Sequence, residues 1–446
     1  MTTSNQKKFF KLKLWKNKAF SGPASVVLNG MLTLAMGSIV ARIIGFASIP
    51  ILTRLYSPED FGMLAFFISV VSMLAPIVTL RYVLAVPLPR NDGIAINLML
   101  LSVFLMFFMS LIVAFLLFLF GERLFSYFSM QMLEPYWWLI FLGLVGGSGY
   151  EILSIWATRK RAYKPIAHTT AIQSLTGNLI KLVLGFLAIK PFGLLIGQVV
   201  ATSGGIVSLS IRFKEDFIRN QKHIRLSRIK LVALRYRNFP IYRLPSQFLL
   251  VFCAQAPLLF TALIYDAQTT GQLGLALMAL SLPIGLLSSS MSRAYYAEIS
   301  HIGKSQPGKI REITLSMLKK LFVISLLPAL VLAIFGEFIF SIIFGKEWQL
   351  AGQLAELLAI YLVFQFLQVP VSRILFVFEG HILLLILNVQ RAVIVTGCFA
   401  AAYYNQMTVT SVIFLYSIML SAQYVLSIFY TLKFIPEQEM SHGSNS

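Results

Sequence analysis

Long apolar windows alternate with short polar breaks along almost the whole chain. A bilayer with a hydrocarbon core about 30 Å thick needs about 20 apolar residues per helix, and each helix satisfies its own backbone hydrogen bonds. The windows have that length, so they predict an all-α integral membrane protein with about twelve transmembrane helices. The predicted spans are 26–52, 61–84, 94–120, 136–157, 166–189, 193–211, 245–265, 271–291, 319–340, 354–375, 380–403 and 409–432.

The composition supports the membrane prediction. Of the 446 residues, 58% are hydrophobic and only 12% are charged, whereas soluble domains carry about 25% charged residues. A chain of this size could not bury that much apolar surface in water-soluble cores. The composition therefore excludes a soluble enzyme and a soluble nucleic-acid-binding module.

The charged residues are distributed unevenly about the predicted spans. Lys and Arg number 37 against 17 Asp and Glu, a net charge of +20. With twelve alternating spans, about thirty basic residues fall on the side of the two termini and about four on the other side. The latter are Arg54, Arg123, Lys190 and Lys346. The positive-inside rule then predicts that both termini are cytoplasmic, and a nucleic acid partner is not needed to account for the charge.

The richest basic segment lies near the middle of the chain and divides it into two sets of about six spans. The predicted organisation is a basic cytoplasmic tail (1–25), an N-terminal six-helix bundle (26–211), a basic cytoplasmic linker (212–244), a C-terminal six-helix bundle (245–432) and a cytoplasmic C-terminal tail (433–446). Parallel repeats of this kind are typical of transporters that hold their substrate between the halves.

A weak internal duplication supports this division. PILTRLYSPEDFG begins at Pro50 and PLLFTALIYDAQTTG at Pro257, and each segment ends a helix, turns and enters the next helix at a glycine, Gly62 or Gly271. Two further prolines, Pro76 and Pro283, recur at the same distance from the first pair. The matched segments are short and apolar, so chance similarity is the alternative.

Two stretches carry a resemblance to a known family: ARIIGFASIPILTRLYSPEDFGMLAFFISV from Ala41, and YRNFPIYRLPSQFLLVFCAQAPLLFTALIYDAQTTGQLGLALMALSLPIGLL from Tyr236. Both resemble polysaccharide-biosynthesis membrane proteins of the oligosaccharide flippase (Wzx-like) group, in the superfamily of the MATE drug exporters and the lipid II flippase. The resemblance implies two six-helix bundles forming a V around a central cavity. It also implies alternating access and a multi-pass protein of the bacterial inner membrane.

The substrate implied by the resemblance is an undecaprenyl-diphosphate-linked oligosaccharide, the repeat unit of O-antigen or another surface polysaccharide. It would move from the cytoplasmic to the periplasmic leaflet. Further partners would be the lipid bilayer, a glycan polymerase and a chain-length regulator.

Three cations lie inside predicted spans and away from the cytoplasmic ends, namely Arg42, Lys181 and Arg391. Charges at this depth usually face a cavity or a partner, and cationic donors suit an anionic diphosphate. The predicted cavity also includes neighbouring polar residues: Gln173, Asn178, Asn388 and Gln390. The alternative for the whole set is hydrogen bonding between packed helices. Beside Arg42, the small residues Gly37, Ala41 and Gly45 predict close packing against another helix.

Other charges are predicted to act near the membrane surface. Arg81 and Arg293 end equivalent spans on the cytoplasmic side and could make the first contact with the diphosphate, unless they only anchor the helices. Glu151 is a candidate ion- or proton-coupling site, with a salt bridge to Arg159 or Arg161 as the alternative. Lys181 and Glu151 should not pair, because their predicted heights differ by roughly 13 Å.

Four prolines, Pro50, Pro76, Pro257 and Pro283, lie in or at the ends of equivalent spans and are predicted hinges. The sequence has no phosphate-binding loop and no metal-ligand motif, so no cofactor, no metal centre and no enzymatic activity are predicted. Two alternatives remain open. A multidrug exporter of the same superfamily would favour acidic cavity residues, and the other alternative is a membrane polymerase or acyltransferase of envelope glycan synthesis.

Overall fold

The computed structural model describes the backbone of residues 23–436, and the side chains of 33–281, 285, 288, 291–380 and 382–436. Most of the two predicted tails, 1–25 and 433–446, lies outside the described residues. Within them the fold is all-α, as predicted.

The first half of the chain forms α1 to α7. These helices are α1 (Pro23–Leu55), α2 (Pro58–Val78), α3 (Asp92–Tyr127), α4 (Trp137–Arg159), α5 (Tyr163–Phe186), α6 (Phe192–Ser203) and α7 (Ile206–Arg212). Short 3₁₀ turns, Tyr82–Ala85 and Gln131–Tyr136, precede α3 and α4.

The remaining helices begin in the basic linker. They are α8 (Lys214–Asn220), α9 (Leu226–Arg235), α10 (Leu244–Ile264), α11 (Ala267–Ile302), α12 (Pro307–Phe344), α13 (Gln349–Val371), α14 (Ile374–Val377), α15 (His381–Tyr404) and α16 (Val409–Lys433). The linker predicted over 212–244 is therefore largely helical.

Ten helical segments among the described residues are long and apolar enough to cross a membrane. The long helices α5 and α11 are not among them. In α5 the reason is polar content, because Gln173, Asn178 and Lys181 lower its hydropathy. The count of twelve spans therefore stays a prediction.

Several helix boundaries differ from the predicted ones. The span expected over 193–211 is two helices, α6 and α7, separated at Gly204 and Gly205. Helices α3 and α12 extend beyond the windows predicted for them, 94–120 and 319–340. Hydropathy marks only the apolar part of a helix, whereas helical backbone continues into the polar layer.

The buried cores distinguish the two ends of the molecule. At one end, a single core joins Leu52 and Phe61 of the first set of helices (α1–α7) to Ala276, Trp348 and Phe399 of the second set (α10–α16). We call this the closed end. At the opposite end, called the linker end, one core joins the first set (such as Val83 and Trp156) to Val232 of the linker helix α9, and another lies within the second set (such as Ile299 and Ile374).

At the closed end, α2 crosses α11 through two glycines. A Cβ on Gly62 would overlap the carbonyl oxygen of Ala267, and a Cβ on Gly271 would overlap that of Pro58. Both helices begin nearby with side-chain caps, from Ser57 and Asp266. The glycines of the predicted duplication therefore lie where the two sets touch backbone to backbone.

Polar and aromatic contacts also join the two sets at the closed end. Trp348 Nε1 donates to the Thr53 carbonyl at 3.1 Å, and Arg54 Nη2 donates to the Ile342 carbonyl at 3.2 Å. The rings of Phe61 and Trp348 meet edge to face, with their centroids 4.9 Å apart. The two sets are thus fastened at the closed end, while their cores stay separate at the linker end.

Candidate functional site

Arg42 projects from α1 toward the second set of helices. A Cβ on Gly285 of α11 would lie only 2.5 Å from Arg42 Nη1. The guanidinium therefore packs against the α11 backbone. The side chain is exposed, and no carboxylate pairs with it among the described residues. The structure thus brings this predicted cavity residue to the boundary between the two sets.

The small-residue ridge beside Arg42 packs against α5. A Cβ on Gly37 would lie 2.6 Å from Cα of Ala167, and Ser174 Oγ donates to the Ala41 carbonyl at 2.7 Å. No atom lies within 4 Å of a Cβ built on Gly45. Close packing through the first two ridge positions is confirmed, and it fixes the face of α1 that carries Arg42.

Lys181 lies between α5 and α6. Its Nζ donates to Gln198 Oε1 at 2.8 Å, and its backbone carbonyl accepts a 2.7 Å hydrogen bond from Tyr56 Oη. The helices approach closely at glycines, since a Cβ on Gly177 would lie 2.6 Å from the Gly197 carbonyl oxygen. Lys181 therefore has a polar partner in a packed seam, as the helix-packing alternative expects.

The other polar residues of α5 are also buried. Asn178 Nδ2 donates to the Ser174 carbonyl at 2.7 Å. Gln173 is only 3% exposed, and its Nε2 has no hydrogen-bond partner among the described residues. The polar stripe of α5 thus faces neighbouring helices, and a role for Gln173, Asn178 or Lys181 in a substrate cavity stays a prediction.

Glu151 is paired, although not with the residues proposed for it. Arg81 Nη1 donates to Glu151 Oε1 at 2.9 Å, and the Arg81 side chain is 12% exposed. Arg81 follows the end of α2 with a left-handed backbone (φ 59°), which turns its side chain back toward α4. The salt-bridge alternative therefore holds with a different partner, Arg81, and ion or proton coupling by Glu151 stays a prediction.

Arg159, the other partner considered for Glu151, instead binds the segment that leads into α3. Its Nε and Nη2 atoms donate to Asp92 Oδ1 at 3.0 and 2.7 Å. Its guanidinium also donates to the carbonyls of Val86, Pro87 and Arg90. Because so many of its donors are used, Arg159 holds the linker-end loop rather than Glu151.

The two arginines predicted to meet the diphosphate first have different environments. Arg81 is engaged by Glu151. Arg293 lies in α11, two turns from its end, and is exposed. Its neighbour Ser292 accepts a 2.7 Å hydrogen bond from Arg373 Nε. Of the two, Arg293 is the one whose guanidinium is free of an ion pair among the described residues.

Arg391 lies among tyrosines of the second set of helices. Its guanidinium carbon is 4.7 Å from the ring centroid of Tyr424. Tyr361 lies 5.7 Å from both Tyr416 and Tyr424, centroid to centroid. Arg391 Nε is buried without a hydrogen-bond partner among the described residues. We call these three tyrosines the tyrosine cluster, in which the ring face of Tyr424 supports the cation.

The polar neighbours of Arg391 are only partly buried. The Asn388 carbonyl is approached by Cys253 Sγ of α10 at 3.8 Å, and the side chains of Asn388 and Gln390 are half-buried. The structure does not bring this group together with Lys181, which lies in the other set of helices. A shared cavity for these residues stays a prediction.

Three of the four predicted hinge prolines lie inside helices: Pro50 in α1, Pro76 in α2 and Pro257 in α10. Position 283 falls within α11, although the Pro283 side chain lies outside the described residues. Movement at these positions stays a prediction.

Sequence reasoning missed several partners that the structure reveals. Gln198 holds Lys181, and Gln255 of α10 accepts a 3.1 Å hydrogen bond from Ser69 Oγ of α2. Gln198 and Gln255 lie in predicted spans that contain no charged residue, whereas each amide predicted to line the cavity shares a span with Lys181 or Arg391. The tyrosine cluster had no local signal, since its members come from α13 and α16.

Residues 51–352 match the family described as polysaccharide biosynthesis protein. That range covers more than half of the 446 residues and includes parts of both sets of helices. No curated protein sequence matches the chain.

Several solved structures share the fold. A lipid II flippase MurJ in an inward closed conformation has a TM-score of 0.64 at 15% identity, over 91% of this chain and 88% of that chain. An inward-facing multidrug resistance MATE family transporter of the MOP superfamily has a TM-score of 0.53 at 14% identity, over 90% and 93%. A MOP superfamily transporter from Pyrococcus furiosus Vc1, described as having a binding pocket of reverse polarity, has a TM-score of 0.54 at 13% identity, over 92% and 96%.

These neighbours establish the fold, and the family match establishes the relationship that the sequence resemblance indicated. The apolar windows predicted a multi-pass helical membrane protein, and this prediction is confirmed. The chain belongs to the polysaccharide biosynthesis protein family.

Proposed function

We propose that the protein is a flippase that moves undecaprenyl-diphosphate-linked oligosaccharide repeat units from the cytoplasmic to the periplasmic leaflet of the bacterial inner membrane. The observation that carries the proposal is the place of Arg42. Its guanidinium extends from α1 to the backbone of α11 at Gly285, where the two sets of helices face each other. Membership in the polysaccharide biosynthesis protein family supports a glycan-linked substrate.

The chemistry of the substrate fits this position. A lipid diphosphate is an anion, and its passage through a low-dielectric slab is opposed by the loss of its hydration. An arginine offers donors in a planar fork that binds two phosphate oxygens at once. Because Arg42 is exposed and has no carboxylate partner among the described residues, its donors are available to the diphosphate.

The two ends of the molecule support transport from the cytoplasm. The basic linker and the charged loops lie at the linker end, which the positive-inside rule assigns to the cytoplasm. The closed end, with Gly62, Gly271 and Trp348, would then face the periplasm. In this arrangement the cores are separate where the substrate enters and joined where it leaves. Alternating access requires the reverse arrangement as the second state.

The test replaces Arg42 in a strain that depends on this protein for its surface glycan. Arg42→Gln should lower export by at least about tenfold, the loss expected when a charge-assisted contact worth about 1.4 kcal/mol or more disappears. Arg42→Lys should restore part of it. Lys230→Gln, on the exposed face of α9, removes the same charge far from α1 and serves as the matched control.

The fate of the lipid-linked units distinguishes the alternatives. A flippase defect leaves completed units on the cytoplasmic face, whereas a polymerase defect leaves unpolymerised units on the periplasmic face. Unchanged glycan together with greater drug sensitivity would favour a multidrug exporter. Full export by the Arg42→Gln variant, at normal protein levels, would overturn the role proposed for this residue.

A further inference from the structure

We propose that the first set of helices holds an anionic phospholipid of the surrounding leaflet in a cavity between α5 and α7, separate from the transported substrate. The cavity has a volume of about 510 Å³ and lies at the linker end. Its lining comes from two short stretches: Lys164, Pro165 and His168 of α5, and Ser208, Ile211 and Arg212 of α7.

The charge of the lining suits a phosphate group. Lys164 contributes an ammonium group and Arg212 contributes a guanidinium group. His168 adds a ring N–H and Ser208 adds a hydroxyl. No carboxylate lines the cavity. No ion pair engages Lys164 or Arg212 among the described residues. Lys164 and Pro165 belong to the first turn of α5, where the helix dipole adds partial positive charge.

An apolar stripe continues from the cavity along α5. Ile172, Leu175, Leu179 and Val183 follow His168 on the same helix face and are 43–55% exposed. At 1.5 Å per residue the stripe from His168 to Val183 is about 22 Å long, more than the roughly 15 Å depth of one leaflet. A lipid phosphate in the cavity would therefore have an acyl chain lying against this stripe.

The position of the cavity favours a resident phospholipid over the transported molecule. Every lining residue belongs to the first set of helices, and none comes from α10 to α16. The opposite faces of α5 pack against α1 through Ala167 and against α6 through Gly177. The site is thus complete within one set of helices, so its occupancy does not depend on how the two sets are arranged.

The experiment measures lipid that stays bound to the full-length protein. The protein is reconstituted in nanodiscs of phosphatidylcholine with phosphatidylglycerol, and retained lipids are counted by native mass spectrometry. The double variant Lys164→Gln/Arg212→Gln should retain one phosphatidylglycerol fewer than the wild type, with phosphatidylcholine unchanged. The control Lys230→Gln/Arg235→Gln removes the same charge from exposed positions of α9 and should retain the wild-type number.

A second variant tests the cavity without changing its charge. Ser208→Trp fills the space with an indole at an exposed position and should also lose one phosphatidylglycerol, while its melting temperature stays close to that of the wild type. Wild-type retention by both cavity variants would overturn the proposal.

Two further probes identify the source of the phosphate. If millimolar inorganic phosphate displaces the retained phosphatidylglycerol completely, the cavity is a site for free phosphate and the lipid proposal fails. If the variants retain phosphatidylglycerol but bind less undecaprenyl diphosphate, the cavity belongs to substrate transport and the proposal of a resident lipid is also overturned. Neither result bears on Arg42, so the flippase proposal stands or falls independently.

Discussion

Gly62 of α2 and Gly271 of α11 pack against each other at the closed end. A Cβ on Gly271 would lie 2.7 Å from the Gly62 amide nitrogen. Each glycine is the fifth residue of its helix, because α2 begins at Pro58 and α11 begins at Ala267. Residues that lie on a twofold axis contact their own equivalents, so this contact marks the point where the pseudo-twofold axis passes between the two sets of helices.

Substitution of either glycine should loosen the closed end. Gly62→Val places methyl groups on the Ala267 carbonyl and should lower the free energy of unfolding by about 1–3 kcal/mol, as overpacked sites do. The melting temperature in detergent measures the effect. Gly147→Val is the matched control, because it introduces the same side chain at a helical position where a Cβ meets no atom within 4 Å. Equal melting temperatures for the two variants would contradict the contact.

A double-mutant cycle measures the coupling energy of the salt bridge between Arg81 and Glu151. Arg81→Gln or Glu151→Gln alone leaves one partly buried charge without its partner, so the double variant should be more stable than the sum of the single effects predicts. Since Glu151 is one-third exposed, we expect a coupling of about 1–2 kcal/mol. Chemical unfolding of the four proteins gives this value. Additive effects would show that the salt bridge contributes nothing.

Variants of Lys181 and its partner Gln198 test whether Lys181 serves helix packing or substrate transport. Lys181→Met removes a charge from a packed seam and should leave the melting temperature unchanged or raise it. Gln198→Leu should lower the free energy of unfolding by about 1–3 kcal/mol, because it leaves a buried ammonium without an acceptor.

Glycan export by the same two variants completes the test of Lys181. Normal export by Lys181→Met would assign the residue to helix packing. Lost export with an unchanged melting temperature would instead place its ammonium on the substrate path.

The ring beneath Arg391 should matter more than its hydroxyl group. Tyr424→Phe keeps the ring face and should retain most of the stability, whereas Tyr424→Leu removes a cation–π contact worth about 1–2 kcal/mol. Thermal unfolding compares the two variants. In an Arg391→Gln background the difference between phenylalanine and leucine should shrink, and an undiminished difference would rule out a cation–π contribution.

The absence of a pair between Lys181 and Glu151 was predictable from the sequence. Counting residues along straight helices separated Lys181 from Glu151, and the structure gives them different partners, Gln198 and Arg81. The membrane fold and the family were also indicated correctly. These features depend on hydropathy and helical rise, which are local properties of the sequence.

The partners themselves were not predictable. Arg81 reaches Glu151 because the Arg81 backbone is left-handed. This conformation is uncommon for arginine, and the sequence gives no indication of it. The polar stripe of α5, with Gln173, Asn178 and Lys181, has the same spacing in the sequence whether it faces water or packs against a helix. Gly197 of α6 decides between these cases, since its missing side chain leaves room for the stem of Lys181.

The contact between Gly62 and Gly271 involves no charge, whereas the linker end is held partly by ion pairs such as Arg159–Asp92 and Lys304–Glu379. Dissolved ions weaken the interactions between exposed charges, with a screening length of about 10 Å at 0.1 M salt. They leave van der Waals contacts between backbones unchanged. The two ends of the molecule therefore respond to different variables: ionic strength acts on the linker end, and side-chain volume acts on the closed end.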